Sequence, residues 1–364
     1  MNKNTISDKQ GIILMTIFII GTTSIQVTGI KAKQDVWASL ILATLLAMPI
    51  IYIYAYINSI SNNDDVFNVI KNCFGKSLGN IIILFISLFI LQTVCEVLIN
   101  VAFFITTTGL RETPIYVLLI CIMFLCNWIV KEGVEVIGRW SEFFILILVI
   151  FLIFTLFFLI KDMDVQNLFP IFSNGFKPIF KGAFDALMFP ITQTIVFVFA
   201  LSSLKNDKSP YKIYFIGLLI GIFFIILISL TNILTLGIDR VMSTYHPTYF
   251  SVRKINLGNF FQRLEIISAT IFILGAFVKI SIYLLAACKG ISCVLNCSDY
   301  RLISTPISLI IINITYVSFE SIIEFWEWTG DLWNYYALVF QIVIPSIIFI
   351  GILIKKNVAY KDRC

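Results

Sequence analysis

Charge is what this sequence has least of. Only 13% of its 364 residues are Asp, Glu, Lys or Arg, about half the share usual in soluble domains. Histidine occurs once, at His246. The scarcity excludes several classes of function. The net charge of +5 is spread over the flanks of apolar runs and forms no basic patch, so nucleic acid is not an expected partner. No phosphate-cradling glycine loop, zinc signature or nucleophile motif occurs. No catalytic residue, metal or cofactor is therefore expected, and neither is an enzyme. The eight cysteines fall in apolar segments and their flanks. Cys288, Cys293 and Cys297 have a loosely metal-like spacing, but no histidine or carboxylate cluster joins them. Reduced structural thiols are the expected state.

What the chain does have is apolar length. It is 59% hydrophobic with a mean hydropathy of +0.96. A bilayer-spanning helix needs about 20 apolar residues, and ten segments qualify, at 11–30, 36–58, 79–108, 114–130, 141–160, 180–203, 213–236, 260–288, 302–319 and 335–354. The expected fold is an all-α integral membrane protein of ten transmembrane helices in the lipid bilayer, and residues 1–364 read as a single membrane domain. The first segment reads as a true span, not a cleavable signal, because its apolar run is long and the second span follows almost at once. Lys and Arg are in modest excess on the side of the termini, which places both termini in the cytoplasm.

Two segments are interrupted. Segment one reads FIIGTTSIQVTGI, with Gly21, Thr22, Thr23, Ser24 and Gln26 interrupting the apolar run near its middle. Segment six reads FDALMFPITQTIVF, with Pro190, Thr192, Gln193 and Thr194, and Pro190 must forfeit one helical hydrogen bond. Irregular backbone at membrane depth is tolerated only where it is buried in protein or lines a cavity. Segments one and six correspond if the ten helices form a five-plus-five inverted repeat. A matched pair of breaks is then the best pointer to a ligand site.

Three further polar sets lie inside apolar segments. Gln92, Glu96 and Asn100 recur every four residues and share one helix face, which suits either a ligand amine or a polar seam between helices. Lys279 sits in GAFVKISIY, where a cation is costly unless it faces a cavity, finds a partner, or snorkels towards the cytoplasmic end two to three turns away. Arg263 and Glu265 at the entrance of segment eight read as a gate or structural anchor. Gly217 and Gly221 in GLLIG read as a close-packing face.

The chain resembles the B subunits of spore germinant receptors, a branch of the amino acid–polyamine–organocation superfamily. The likeness rests on ISDKQGIILMTIFIIG, QDVWASLILATLLAMPI, NLFPIFSNGFKPIFKGAFDA and YHPTYFSVRKINLGNFFQRLEIISATIFILGAFVKISIYLLAACKG. It implies the ten-helix inverted-repeat fold, the spore inner membrane, and a complex with A-type and C-type subunits. In ion-coupled members of this fold, helix eight flanks the break in helix one, so Lys279 would act as a tethered cation beside Gly21 and Thr22. The expected function is a nutrient-sensing subunit that binds a small germinant, an amino acid, at Gly21, Thr22, Thr23, Ser24, Gln92, Glu96, Pro190, Thr192, Gln193 and Lys279. The rival is an autonomous ion-coupled amino-acid transporter.

Overall fold

The chain enters its first helix through a reciprocal cap. Ser7 Oγ accepts from the Gln10 amide and Gln10 Oε1 accepts from the Ser7 amide, each at 3.2 Å. Helix α1 then runs Asp8–Gly21, 14 residues. Such a helix rises about 21 Å, well short of the roughly 30 Å of bilayer hydrocarbon. The apolar run expected over 11–30 therefore stops being helical at its midpoint. Gly29, at φ 75°, leads into a tight 3-10 stretch at Ile30–Asp35 before α2.

The computed structural model describes residues 6–61, 65–201, 204, 208–255 and 263–361. After α1 come α2 (Val36–Ile60), α3 (Val66–Phe74), α4 (Lys76–Thr108), α5 (Ile115–Glu132), α6 (Val134–Leu159), α7 (Phe176–Ala186), α8 (Val196–Ala200) and α9 (Ser209–Leu236). They are followed by α10 (Ile238–Met242), α11 (Pro247–Arg253), α12 (Glu265–Leu295), α13 (Tyr300–Ser318), α14 (Ile322–Glu327), α15 (Trp333–Leu338) and α16 (Ile344–Lys361). Among the described residues, nine helical stretches are long and apolar enough to cross a membrane; the interrupted first segment is not one of them. The expected end of segment six (202–203) and start of segment eight (260–262) lie outside the described residues, as do the terminal residues 1–5 and 362–364.

Several boundaries differ from expectation for identifiable reasons. The link between the second and third spans holds α3, a short amphipathic helix that buries Val66, Phe67 and Ile70 against α4 and α16. Helix α12 continues to Leu295, seven residues past the expected end, because Lys289 finds a carbonyl partner at Ala200 (2.7 Å) and so can stay in a helix. Lys279 consequently lies at the middle of α12, not two to three turns from its end. The last span is not a plain helix over 335–354. A π turn at Val339–Val343 separates α15 from α16.

Burial sorts the spans into an inner group and an outer one. In α12, and in the stretch from α7 to α8, 83% of the most apolar window is buried, against 28% for α6 and for the last span. Helix α12 packs on α1, α4, α5, α6, α8 and α13, and α1 packs on α9. The α1–α9 seam uses the two glycines of GLLIG as expected. A Cβ on Gly217 would lie 2.9 Å from Met15 Cβ, and one on Gly221 would lie 2.8 Å from Ile19. The loop after α6 is pinned by buried Asp35, whose carboxylate accepts from the Phe172 amide at 3.0 and 3.2 Å, while Trp37 packs on Phe172. Two sequence stretches that carry the family resemblance are thus in contact.

Candidate ligand cavity between two broken helices

The first break is held against α12 by the absence of side chains. A Cβ on Gly21 would meet the Gly275 carbonyl oxygen at 2.7 Å, and one on Gly275 would meet Gly21 Cα at 2.4 Å. Backbone contact at this point places Lys279, one turn beyond Gly275, opposite Thr22. Lys279 Nζ donates to Thr22 Oγ1 at 2.8 Å, and the side chain is fully buried. The amine does not reach the surface of the protein. It lies 5.0 Å from the Phe18 ring centroid and 4.6 Å from that of Phe189, so an aromatic face from each broken segment covers it.

The carbonyls freed at the first break are mostly satisfied locally. Thr23 Oγ1 donates to Ile19 and Ile20 oxygens, both at 2.9 Å, and Ser24 Oγ donates to the Gly21 oxygen at 2.8 Å. Lys279 does stand beside Gly21 and Thr22, and its bond goes to the Thr22 hydroxyl and not to a freed carbonyl. Thr23 and Ser24 are caps of the break. Gly21 is its packing contact.

The second break runs from Leu187 to Ile195. Phe189 leaves helical geometry (φ −136°, ψ 116°) just before Pro190. Thr192 Oγ1 donates to the Leu187 oxygen at 2.8 Å and pairs with Gln341 Oε1 at 2.6 Å. Tyr54 of α2 donates to the Thr192 oxygen at 3.3 Å and to the Gln341 oxygen. The π turn of the last span is what turns Gln341 inward, and its side chain is fully buried. Pro190 and Thr192 thus serve the joint between three spans.

Between the breaks lies a cavity of 260 Å³. Of the expected site residues, Thr22, Glu96 and Gln193 line it, together with Asn100 and Phe189. Gln193 is buried, and its Oε1 makes no hydrogen bond among the described residues. Glu96 Oε1 accepts from Trp328 Nε1 at 2.9 Å and from Gln92 Nε2 at 3.4 Å, and Gln92 Oε1 in turn accepts from Tyr336 at 2.8 Å. Gln92 does not reach the cavity; it orients Glu96. Gly21, Thr23, Ser24, Pro190 and Thr192 stand behind the wall, and Lys279 stands behind Thr22 and Phe189. Where Lys279 of segment eight was expected to contribute, the wall is instead built by Phe325 and Trp326 of α14, Thr329 of the π turn after it, and Trp333 and Asn334 of α15. Arg263 and Glu265 lie elsewhere, with Nε and Oε1 3.7 Å apart.

The mouth of the cavity carries an ion pair absent from the sequence reading. Lys31 Nζ sits 3.0 Å from Asp185 Oδ2 and donates to the Gly330 oxygen at 3.1 Å. Asn334 Nδ2 donates to Asp185 Oδ1 at 2.8 Å. Three separate elements meet there. In sequence, Lys31 and Asp185 are ordinary loop and helix-end charges 154 residues apart, with no spacing to link them.

A family model described as "Spore germination protein" matches residues 5–321. The chain belongs to that family. Spore germination protein KB of Bacillus subtilis (strain 168) is 24% identical across 100% of this chain and 98% of its own length. Putative spore germination protein YfkT of the same organism is 27% identical over 76% of this chain and 75% of its own. Spore germination protein GerQB of Bacillus cereus is 24% identical over 85% and 86%. Among solved structures, the closed form of Mhp1, a nucleobase-cation-symport-1 family transporter with bromovinylhydantoin bound, superposes with a TM-score of 0.69 at 12% identity. The match covers 93% of this chain and 77% of that one. This germination protein is thus a multi-pass, all-α membrane protein with a transporter-like fold.

Proposed function

We propose that this germination protein is the nutrient-sensing membrane subunit of a germinant receptor. It binds a small germinant, an amino acid, in the central cavity and triggers germination with A-type and C-type partner subunits. In this reading it sits in the spore inner membrane with both termini cytoplasmic. Its ten crossings form two inverted sets of five, broken in the first and sixth.

The observation that carries the reading is a carboxylate and an unpaired amide oxygen facing one cavity beside a buried lysine. Glu96 suits an α-ammonium group. The Thr22 hydroxyl accepts from Lys279, which leaves its own hydrogen free to donate to an α-carboxylate. Gln193 Oε1 supplies an unpaired second acceptor for the ammonium group. At 260 Å³ the cavity is below the roughly 300–1,000 Å³ of drug-sized sites, which favours one small zwitterion. A germinant bridging Glu96, Thr22 and Gln193 gives the bound state a contact between spans that the empty state lacks. Such a differential contact is what shifts a two-state equilibrium.

Glu96→Gln keeps shape and hydrogen bonding but removes the charge. The half-maximal germinant concentration should rise about tenfold or more, as loss of a charged hydrogen bond of about 1.5–3 kcal/mol requires. Spores with an unchanged dose-response would remove Glu96 from the site. The second reading, an autonomous ion-coupled amino-acid carrier, draws on the likeness of fold to a cation symporter. Copurification with an A-type subunit supports the receptor. Substrate uptake by the chain alone in vesicles supports the carrier.

A further inference from the structure

Away from the central cavity, a second polar hollow of 420 Å³ opens at the end of α9. Its walls are Leu236, Arg240, Thr244, Phe250, Arg253 and Lys254. Arg240, Arg253 and Lys254 are all exposed, and none of them forms an ion pair among the described residues. The neighbouring carboxylate, Asp239, forms none either, and residues 256–262 contain no acidic side chain. Lys254 is held in place by donating to the Thr235 oxygen at 2.5 Å, in the last turn of α9, where helix carbonyls lack partners and favour a cation. Three cations therefore surround one space, and neither Asp239 nor Asp164, the carboxylates carried nearest to this end of α9, forms an ion pair with any of them among the described residues.

We propose that this hollow binds the phosphate of a net-anionic phospholipid headgroup. Its depth argues for lipid over a soluble anion. Leu236 is the last residue of an apolar span, so the cations stand where hydrocarbon gives way to headgroups. Phe250 and Met242, 42% and 55% exposed, present apolar surface beside them. Snorkelling cations above apolar surface is the arrangement that meets a phosphate and an acyl chain together. Thr244 also lines an adjoining hollow with Gln26, Ile30 and Trp326, three residues that line the ligand cavity as well. The lipid would sit beside the cavity mouth. This inference does not depend on which germinant the cavity takes.

Full-length protein in neutral detergent is titrated with phosphatidylglycerol and phosphatidylcholine, with binding read by native mass spectrometry, and with inorganic phosphate, read by competition. The expected result is saturable binding of phosphatidylglycerol over phosphatidylcholine. In the double variant Arg240→Gln, Arg253→Gln the affinity should fall about 30-fold, at roughly 1 kcal/mol for each cation near a surface. The variant Lys177→Gln, Lys181→Gln removes two other exposed cations and should bind as the parent does. Equal binding of the two lipids, or unchanged affinity in the Arg240/Arg253 variant, overturns the proposal. Displacement of the lipid by low-millimolar phosphate overturns the lipid source and assigns the hollow to a soluble phosphate. A melting curve in neutral detergent confirms that the double variant is folded.

Discussion

The two helix breaks solve one problem in opposite ways. Both expose backbone groups at membrane depth, where each unsatisfied group is expensive. The first break closes largely on itself: Thr23 and Ser24 return their hydroxyls to carbonyls three or four residues back, and among the described residues its ties outward are the Lys279–Thr22 bond and the Thr248–Ile25 backbone bond. The second break is tied outward, through Thr192 to Gln341 of the last span and Tyr54 of α2. A self-capped segment can change its angle without losing its hydrogen bonds. A cross-tied one cannot. The first break is therefore the side of the cavity that can move with fewer bonds broken, with Lys279 as its latch, and the second is the more firmly tied wall.

The harshest way to break the comparison is at the backbone contact. Gly275→Leu puts a side chain where a Cβ alone would lie 2.4 Å from Gly21 Cα. It should cost about 3 kcal/mol or more and remove folded protein from the membrane, read as protein level and detergent melting temperature. Gly21→Leu should do the same. Loss of nutrient response in that variant therefore reports packing, and Thr22→Val is the cleaner probe of the pocket.

Lys279→Met comes next. It keeps the stem and removes the charge shared by Thr22, Phe18 and Phe189. A lost buried charged bond of about 1–3 kcal/mol moves a two-state sensor by one to two decades. Spores should be unresponsive or should germinate without nutrient, with Lys279→Arg rescuing only in part because of its wider planar head. Wild-type germination kinetics at matched protein level would deny the latch.

At the second break the effect should fall on stability instead. Gln341→Leu leaves the Thr192 hydroxyl without its inter-span partner and should lower stability by about 1–3 kcal/mol, with the germinant dose-response preserved. A shifted dose-response with unchanged melting would reverse the assignment of moving and fixed parts.

The smallest effect concerns His246, which packs on Phe104 beside the Thr248–Ile25 backbone bond that covers the first break. Burial pushes its pKa down to about 4, below the roughly 6.5 of an exposed histidine. The folded state therefore holds the neutral ring, while the unfolded chain takes up a proton below about pH 6.5. Stability should be constant above that value and decline as pH falls from about 6.5 towards 4. A melting-temperature profile against pH should show the decline, and His246→Phe should flatten it.

Much of the architecture was legible beforehand, and the reasons differ by feature. Apolar runs near 20 residues announce spans because the bilayer sets their length. GTTS and PITQT announced the breaks because proline and small hydroxylic residues are what an interrupted membrane helix uses. The π turn at Val339–Val343 gave no signal, since it occupies an unbroken apolar run. Lys31 and Asp185 gave none either, since charges at span ends are ordinary and their pairing depends on which loops meet. Trp328 carried no signal in the sequence, yet it donates to Glu96.

By itself the sequence determined the solvent, the number of apolar segments, the two places where helix fails and the residues that cannot stand alone in hydrocarbon. Those are local consequences of composition and of the cost of unpaired polar groups. Only the tertiary structure decided which of these residues face the cavity and which stand behind its wall. Thr22 and Ser24 are two residues apart and chemically alike, but one takes the Lys279 bond at the cavity while the other caps its own helix. That difference arises because Gly21 and Gly275 bring two backbones into contact and fix the rotation of α1 against α12, a constraint that no single segment contains.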